Sequence, residues 1–345
     1  MFDKKYAYHY LFAIGVITAA SYFGDKIKQG LTNDNAENEL IRKYLLNESP
    51  LYGMNRPKLW IHSTYEKNAR QWKDFYSRNS TDLNQPYVHL CIKSIINHCG
   101  SDFNICLIDD ETFSKLIPTW DINMSTVSEP HKSTYREIGM LQLLYLYGGI
   151  VVPNSFVCTK NLMPLYAECS EGHPFVSEEI NRTCNVASKK ENHNFMPSLK
   201  FMGGRKACPE LKKMLAENKL DGNRHFTVEP KFLGNIQQWL YGEVNRGAFS
   251  LVNGKLIGTK TTKGKQILLD DLMSENFLDL DKDAYGIYIP ADEILSRPKY
   301  QWFAYLSSEE VMKTNAIIVK YLKSSAIDAV NEYFSEKMIK SVSTI

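Results

Sequence analysis

A chain of 345 residues with 43% hydrophobic and 23% charged content has the makeup of a globular protein burying one large core or two modest ones. Its formal net charge of +2 excludes the marked basic excess of a nucleic-acid binder, so no nucleic acid is expected as a partner. Seven cysteines without a C-x-x-C pair or a histidine cluster at zinc spacing argue against zinc and read as mostly buried free thiols, with one or two disulfides the alternative in a lumenal domain and no pairing legible. Sequons at Asn47, Asn79, Asn123 and Asn181 are near the chance number for a chain this rich in Asn, Ser and Thr, and fix no compartment.

Residues 6–24 carry no formal charge apart from the titratable His9, between Lys4-Lys5 and Asp25, Lys26 and Lys28. The stretch just suffices for one span, with tyrosines near both ends, and predicts a membrane-anchor helix in a single-pass membrane protein. A cleaved signal peptide ending near Ala19-Ala20-Ser21, or a core helix, is the alternative. The division expected is an anchor over 1–24, a polar stem over 25–54 and an α/β domain over 55–345. Within that domain Lys58–His62 reads as a strand, Tyr65–Asn79 as a helix, and Val88–Cys99 as a helix ending near Gly100. Asn104–Asp109 reads as a second strand, with Asp109, Asp110 and Glu111 at its carboxyl end. Those acids suit contact with ribose or a metal, and equally the first turn of a following helix.

A loop over 118–132 leads to the centre of the chain. Thr134-Tyr135-Arg136-Glu137 has the spacing of a capping box, and Ile138, Leu141, Leu144 and Tyr145 form an apolar stripe that Met140, Leu143 and Tyr147 widen into a buried helix. Gly148-Gly149 stops that helix, and Ile150-Val151-Val152 follows as a buried strand closed by Pro153. Phe156–Cys158 and Pro174–Val176 predict further strands, and 180–195 a polar loop. After Leu199–Met202, Gly203-Gly204-Arg205-Lys206 can cradle a phosphate; a helix start at Pro209 is the alternative use. A helix is expected near Trp239 and Leu240. The Gly254–Lys265 segment, with Lys255, Lys260, Lys263 and Lys265, predicts a hairpin tip that can also meet a diphosphate. Asp279, Asp281 and Asp283 alternate, so on a strand they share a face and in a loop they can converge on a cation. Tyr285–Pro290 alternates as a strand, Trp302–Leu306 suits core or an acceptor groove, and 308–342 predicts an amphipathic helical tail.

Leu143-Leu144-Tyr145-Leu146-Tyr147-Gly148-Gly149-Ile150 resembles the signature of the DXD-containing sugar transferases related to capsular polysaccharide synthesis proteins. Their pattern runs D-x-x-R, a short apolar helix, Y-G-G-I, two apolar residues and D-x-D. Pro57–His62 resembles the opening strand of those enzymes, Pro86–Ser94 the next helix, and Cys106–Asp110 the second strand. The resemblance implies a GT-A-like nucleotide-sugar transferase fold, a mixed sheet flanked by helices. It also implies a nucleotide-sugar donor and a glycan, lipid or protein acceptor.

In that family the D-x-D carboxylates hold a divalent cation against the donor diphosphate. Here the matching positions are Pro153, Asn154 and Ser155, neutral groups weak for Mn²⁺ or Mg²⁺. The upstream acid falls on Glu137, which can instead cap its helix, and the arginine position falls on Met140. The candidate nucleotide-sugar residues are His62, Asp109, Asp110, Glu137, Asn154, Ser155, Arg205 and Lys206. A cation is expected only if a carboxylate site outside the D-x-D position exists, for which Asp279, Asp281 and Asp283 are the candidates. No catalytic base can be named from the sequence. Two functions fit: sugar transfer from a nucleotide donor, or a degenerate transferase kept as a binding or structural module.

Overall fold

The apolar runs Leu59–Ile61 within Lys58–His62 (β1) and Ile105–Ile108 within Asn104–Ile108 (β2) form strands buried on both faces. The computed structural model describes residues 56–63, 85–127, 131–178, 195–222 and 235–326, all within the compact unit Ser49–Ile345. Six further strands follow: Gly149–Val151 (β3), Phe156–Cys158 (β4), Phe175–Glu178 (β5), Pro197–Gly204 (β6), Ser250–Val252 (β7) and Gly286–Tyr288 (β8). One six-stranded sheet has the order β2-β1-β3-β6-β5-β7, and β4 pairs with β8 in a small second sheet. β1 runs parallel to β2 and β3, whereas β6 runs antiparallel to both β3 and β5, so the large sheet is mixed.

Register carries the alternation of side chains across the sheet. Cys106, Trp60, Val151, Met202 and Val176 stand in one row and share a single core cluster. That cluster also takes Ile138, Leu141 and Leu144 from a helix over His131–Tyr147 and Leu211 and Met214 from one over Pro209–Gly222. The alternate row, Ile105, Leu59 and Ile150, faces the other way and is equally buried. On that side Phe201 of β6 meets Phe156 of β4 at 5.6 Å, so the small sheet covers it.

In chain order the helices are Tyr87–Cys99 (α1), Thr112–Leu116 (α2), His131–Tyr147 (α3), Met163–Cys169 (α4), Pro209–Gly222 (α5), Asn235–Asn245 (α6), Leu269–Leu272 (α7), Ala291–Ser296 (α8), Gln301–Tyr305 (α9) and Ser308–Lys313 (α10). Residues 317–326 are helical as well.

The glycine pair after α3 fixes how helix and sheet meet. Gly148 donates its amide to Leu144 O with φ +71°, the helix stop expected of it. Gly149 has φ +108°, and a Cβ there would lie 2.0 Å from the Lys58 carbonyl oxygen, so only glycine lets β3 pair with β1. Trp60 reinforces the joint by donating its indole N–H to Gly148 O at 2.9 Å.

Several expectations are corrected. Among the described residues no helix is long and apolar enough to cross a membrane, so the membrane-anchor helix is withdrawn from the fold. The single-pass localisation and the membrane partnership go with it; residues 6–24, on which they were placed, lie outside the described residues. The stem over 25–54, the Tyr65–Asn79 helix and most of the 180–195 loop also lie outside them. Helix α3 reaches back to His131, so Thr134 and Glu137 sit inside it and form no capping box. The tail beyond 308 is not one helix. Ser307 and Glu310 cap α10 reciprocally, Thr314 turns extended, and helix resumes at 317.

Candidate functional site

β1 and β3 are parallel neighbours whose carboxyl ends lie side by side. The chain leaves β1 toward α1 and β2, and leaves β3 through Pro153–Ser155 toward β4. A crevice between strands with diverging exits is where open α/β sheets take ligands. A cavity of about 280 Å³ opens there. His62 ends β1, and Val152, Pro153, Asn154 and Ser155 follow β3. Arg136 and Glu137 come from α3, Lys200 from β6, and Tyr288 and Asp292 from the β8–α8 segment opposite.

One wall is organised by Asp110, just past β2. Arg136 donates Nε–H to Asp110 Oδ1 at 2.8 Å and Nη2–H to Oδ2 at 2.7 Å, a bidentate pair. His62 Nε2 lies 2.9 Å from the same Oδ1, and Lys132 Nζ 3.7 Å from Oδ2. Burial alone pushes the Asp110 carboxyl up, but the hydrogen bonds and charges of Arg136 and His62 prevail and hold it well below the usual carboxylate range. The His62 ring stacks on Phe113 with centroids 5.5 Å apart and planes 5° from parallel. Phe113 in turn lies where a Cβ on Gly139 of α3 would be, at 2.6 Å. A second cavity of about 610 Å³ lies beyond Asp110, lined also by Lys115, Trp120, Asp121, Asn123 and Lys132.

Of the sequence candidates, His62, Glu137, Asn154 and Ser155 line the first cavity, and Asp110 stands behind it. Glu137 is two turns into α3 and not a cap. Ser155 is buried; its hydroxyl donates to Ile289 O at 2.7 Å while its carbonyl accepts from Ile289 N at 3.0 Å. Asp109 lies in the turn before α2, outside its first turn, and its carboxylate is spent there, accepting from Thr112 N at 2.9 Å and Thr112 Oγ1 at 2.6 Å.

Arg205 and Lys206 do not join the site. Because β6 is antiparallel, Gly204 pairs with Gly149, and the two exposed cations lie beyond the amino end of β3, away from the cavity. Asp279, Asp281 and Asp283 do not converge either. Asp279 accepts from the Thr262 hydroxyl of a neighbouring segment, and Asp281 Oδ1 accepts from Asp283 N at 3.0 Å within its own turn. Among the described residues no three His, Cys, Asp or Glu side chains form a group that could hold a metal.

The divalent cation implied by the resemblance does not fit this donor set. The Pro153 side chain has no oxygen and its carbonyl accepts from Phe156 N, the Asn154 amide is neutral, and the Ser155 hydroxyl is spent on Ile289.

Sequence reasoning missed Lys132, Arg136, Lys200 and Asp292. Two signals were present: Lys132 and Arg136 are four apart on one face of a helix, and Lys200 interrupts the apolar run of a buried strand. Asp292 carried none, since its approach depends on β8 pairing with β4.

No protein-family description matches the chain, and no curated protein does. Among solved structures it is similar to one titled PaToxG Glycosyltransferase, at 14% identity and a TM-score of 0.32, over 84% of this chain and 95% of that one. This likeness does not show the DXD-type family. It is too slight to carry fold or function by itself.

Proposed function

We propose that this chain is a GT-A-like protein that holds the diphosphate of a sugar nucleotide in the cavity at the ends of β1 and β3, and that it transfers the sugar to a hydroxyl of a glycan, lipid or protein. The observation that carries this reading is the convergence of Arg136, Lys200 and His62 from a helix and two strands on one crevice. Loss of a diphosphate leaving group requires positive charge where negative charge develops, and Arg136 and Lys200 supply it from side chains. Asp110 acts as a positioning residue, holding the guanidinium of Arg136 and the imidazole of His62 in fixed directions. Glu137 and Asp292 are the carboxylates on the cavity wall and the groups available to meet sugar or acceptor hydroxyls.

A second reading, a degenerate transferase that binds without turnover, is favoured by one observation. The Ser155 side chain, at the last position of the lost metal motif, is buried and consumed by Ile289.

The test is calorimetric titration of the protein with nucleoside diphosphates and sugar nucleotides, in Mn²⁺, in Mg²⁺ and in EDTA, with released nucleotide followed in parallel. Binding that survives EDTA and is lost in Arg136→Gln supports the cavity as a diphosphate site. Turnover then decides between transferase and module. A folded protein that binds no nucleotide overturns both.

A further inference from the structure

Seven cysteines scattered through the sequence gave no pairing, but the fold brings two of them together. Cys99 ends α1 and Cys158 ends β4, and their sulfur atoms lie 3.8 Å apart although the residues are 59 positions apart in sequence. Both are fully buried. Polar bridges hold the two backbones in register on either side of the pair. The Ser94 hydroxyl donates to Cys91 O at 2.6 Å and accepts from Cys158 N at 2.8 Å, tying β4 to α1. The Ser325 hydroxyl donates to Cys158 O at 2.7 Å and lies 3.2 Å from Nε2 of His98, the neighbour of Cys99. The backbones are thus clamped with the two sulfurs at van der Waals contact, against about 2.05 Å in an S–S bond.

We propose that Cys99 and Cys158 are a disulfide site, closed when the folding chain meets a small-molecule or protein disulfide. One thiolate attacks the oxidant's disulfide and expels one of its thiolates, and the second cysteine then displaces the mixed disulfide. The Cys99–Cys158 S–S bond forms, the two thiols lose two protons and two electrons, and the oxidant is reduced to two thiols. Burial pushes the Cys158 thiol far above its ordinary pKa and shields it, so exchange takes place before β4 docks on α1 or during local opening. The bond closes a loop of about 60 residues, and a loop of that size raises the thermal midpoint of a unit this large by on the order of 10 °C. Its position matters for the cavity, because β4 follows directly from Pro153–Ser155.

The experiment refolds the full chain in a glutathione and glutathione-disulfide mixture, quenches with acid, alkylates the free thiols and maps the peptides by mass. The expected product has five alkylated cysteines and one cross-linked peptide joining Cys99 to Cys158, and its thermal midpoint falls on reduction. Cys99→Ala should lose the cross-link and the redox dependence of the midpoint together. Seven alkylated cysteines in the refolded protein, or a dominant cross-link between other cysteines, overturns the assignment. The mapping uses the unmodified chain, so it stands even if Cys99→Ala fails to fold.

Discussion

Asp110→Asn removes one charge from a carboxylate that Arg136 meets at 2.8 and 2.7 Å, His62 at 2.9 Å and Lys132 at 3.7 Å. An exposed ion pair is worth about 0–1 kcal/mol, whereas breaking a buried one costs about 3–5 kcal/mol. The Asp110 and Arg136 side chains are 15% and 24% exposed, between those limits. Asparagine keeps one acceptor but turns an amide N–H₂ toward the guanidinium, so the loss should be about 2 kcal/mol. For a unit of this size the thermal midpoint falls by about 3 °C. The direction of the pKa shift gives the sign of the pH dependence. A carboxyl that titrates below its unfolded range contributes fully above about pH 4, and the contribution is lost as pH falls further. Thermal unfolding of wild type and Asp110→Asn, followed by circular dichroism from neutral to acid, should show a gap at neutral pH that narrows in acid. A neutral-pH gap under about 0.5 kcal/mol, or one that stays constant below about pH 4, refutes Asp110 as the organiser of the wall.

Arg136→Gln should weaken binding of a nucleoside diphosphate about tenfold or more, while Lys206→Gln at the far end of the sheet should leave it unchanged; equal losses in titration would contradict the site. Gly149→Ala, with its Cβ set against the Lys58 carbonyl at φ +108°, should cost about 4 kcal/mol or more and yield little soluble folded protein, as read by expression and circular dichroism. Ser307→Ala removes one half of the reciprocal cap on α10, where the Glu310 amide donates to the Ser307 hydroxyl at 3.2 Å. A loss of about 1 kcal/mol in urea unfolding is expected.

The elements that sequence made legible are those whose signal is local. Lys58–His62 needed only its apolar run, and the end of α3 needed only two glycines after a buried stripe. The cavity was legible in part for the same reason, since His62, Glu137 and Asn154 sit on or beside those elements. Arg205 and Lys206 misled because a glycine pair before two cations looks the same whether the strand leading to it runs with or against its neighbours. Direction is a property of the whole sheet, and the antiparallel run of β6 carries those cations to its other end. The Asp109–Asp110 pair shows the same limit at single-residue scale. Adjacent acids at a strand end have equal claims in sequence, yet one is spent on the turn before α2 and the other gathers His62 from β1 and Arg136 from α3.

The Gly149 contact has a mechanical consequence for the cavity. Helix α3 is a rod of 17 residues, about 25 Å long, whose lower end is bolted to the sheet through Gly148 and Gly149. Arg136 and Glu137 ride near its upper end, roughly 18 Å from the bolt, with Asp110 as a strut. That side of the crevice behaves as an anvil. The facing side, Tyr288 and Asp292, is held separately, on the β4–β8 pair that Ser94 and Ser325 tie to α1 and to the helix over 317–326. A change at Gly149 therefore misdirects Arg136 and Glu137 together without touching a residue of the cavity.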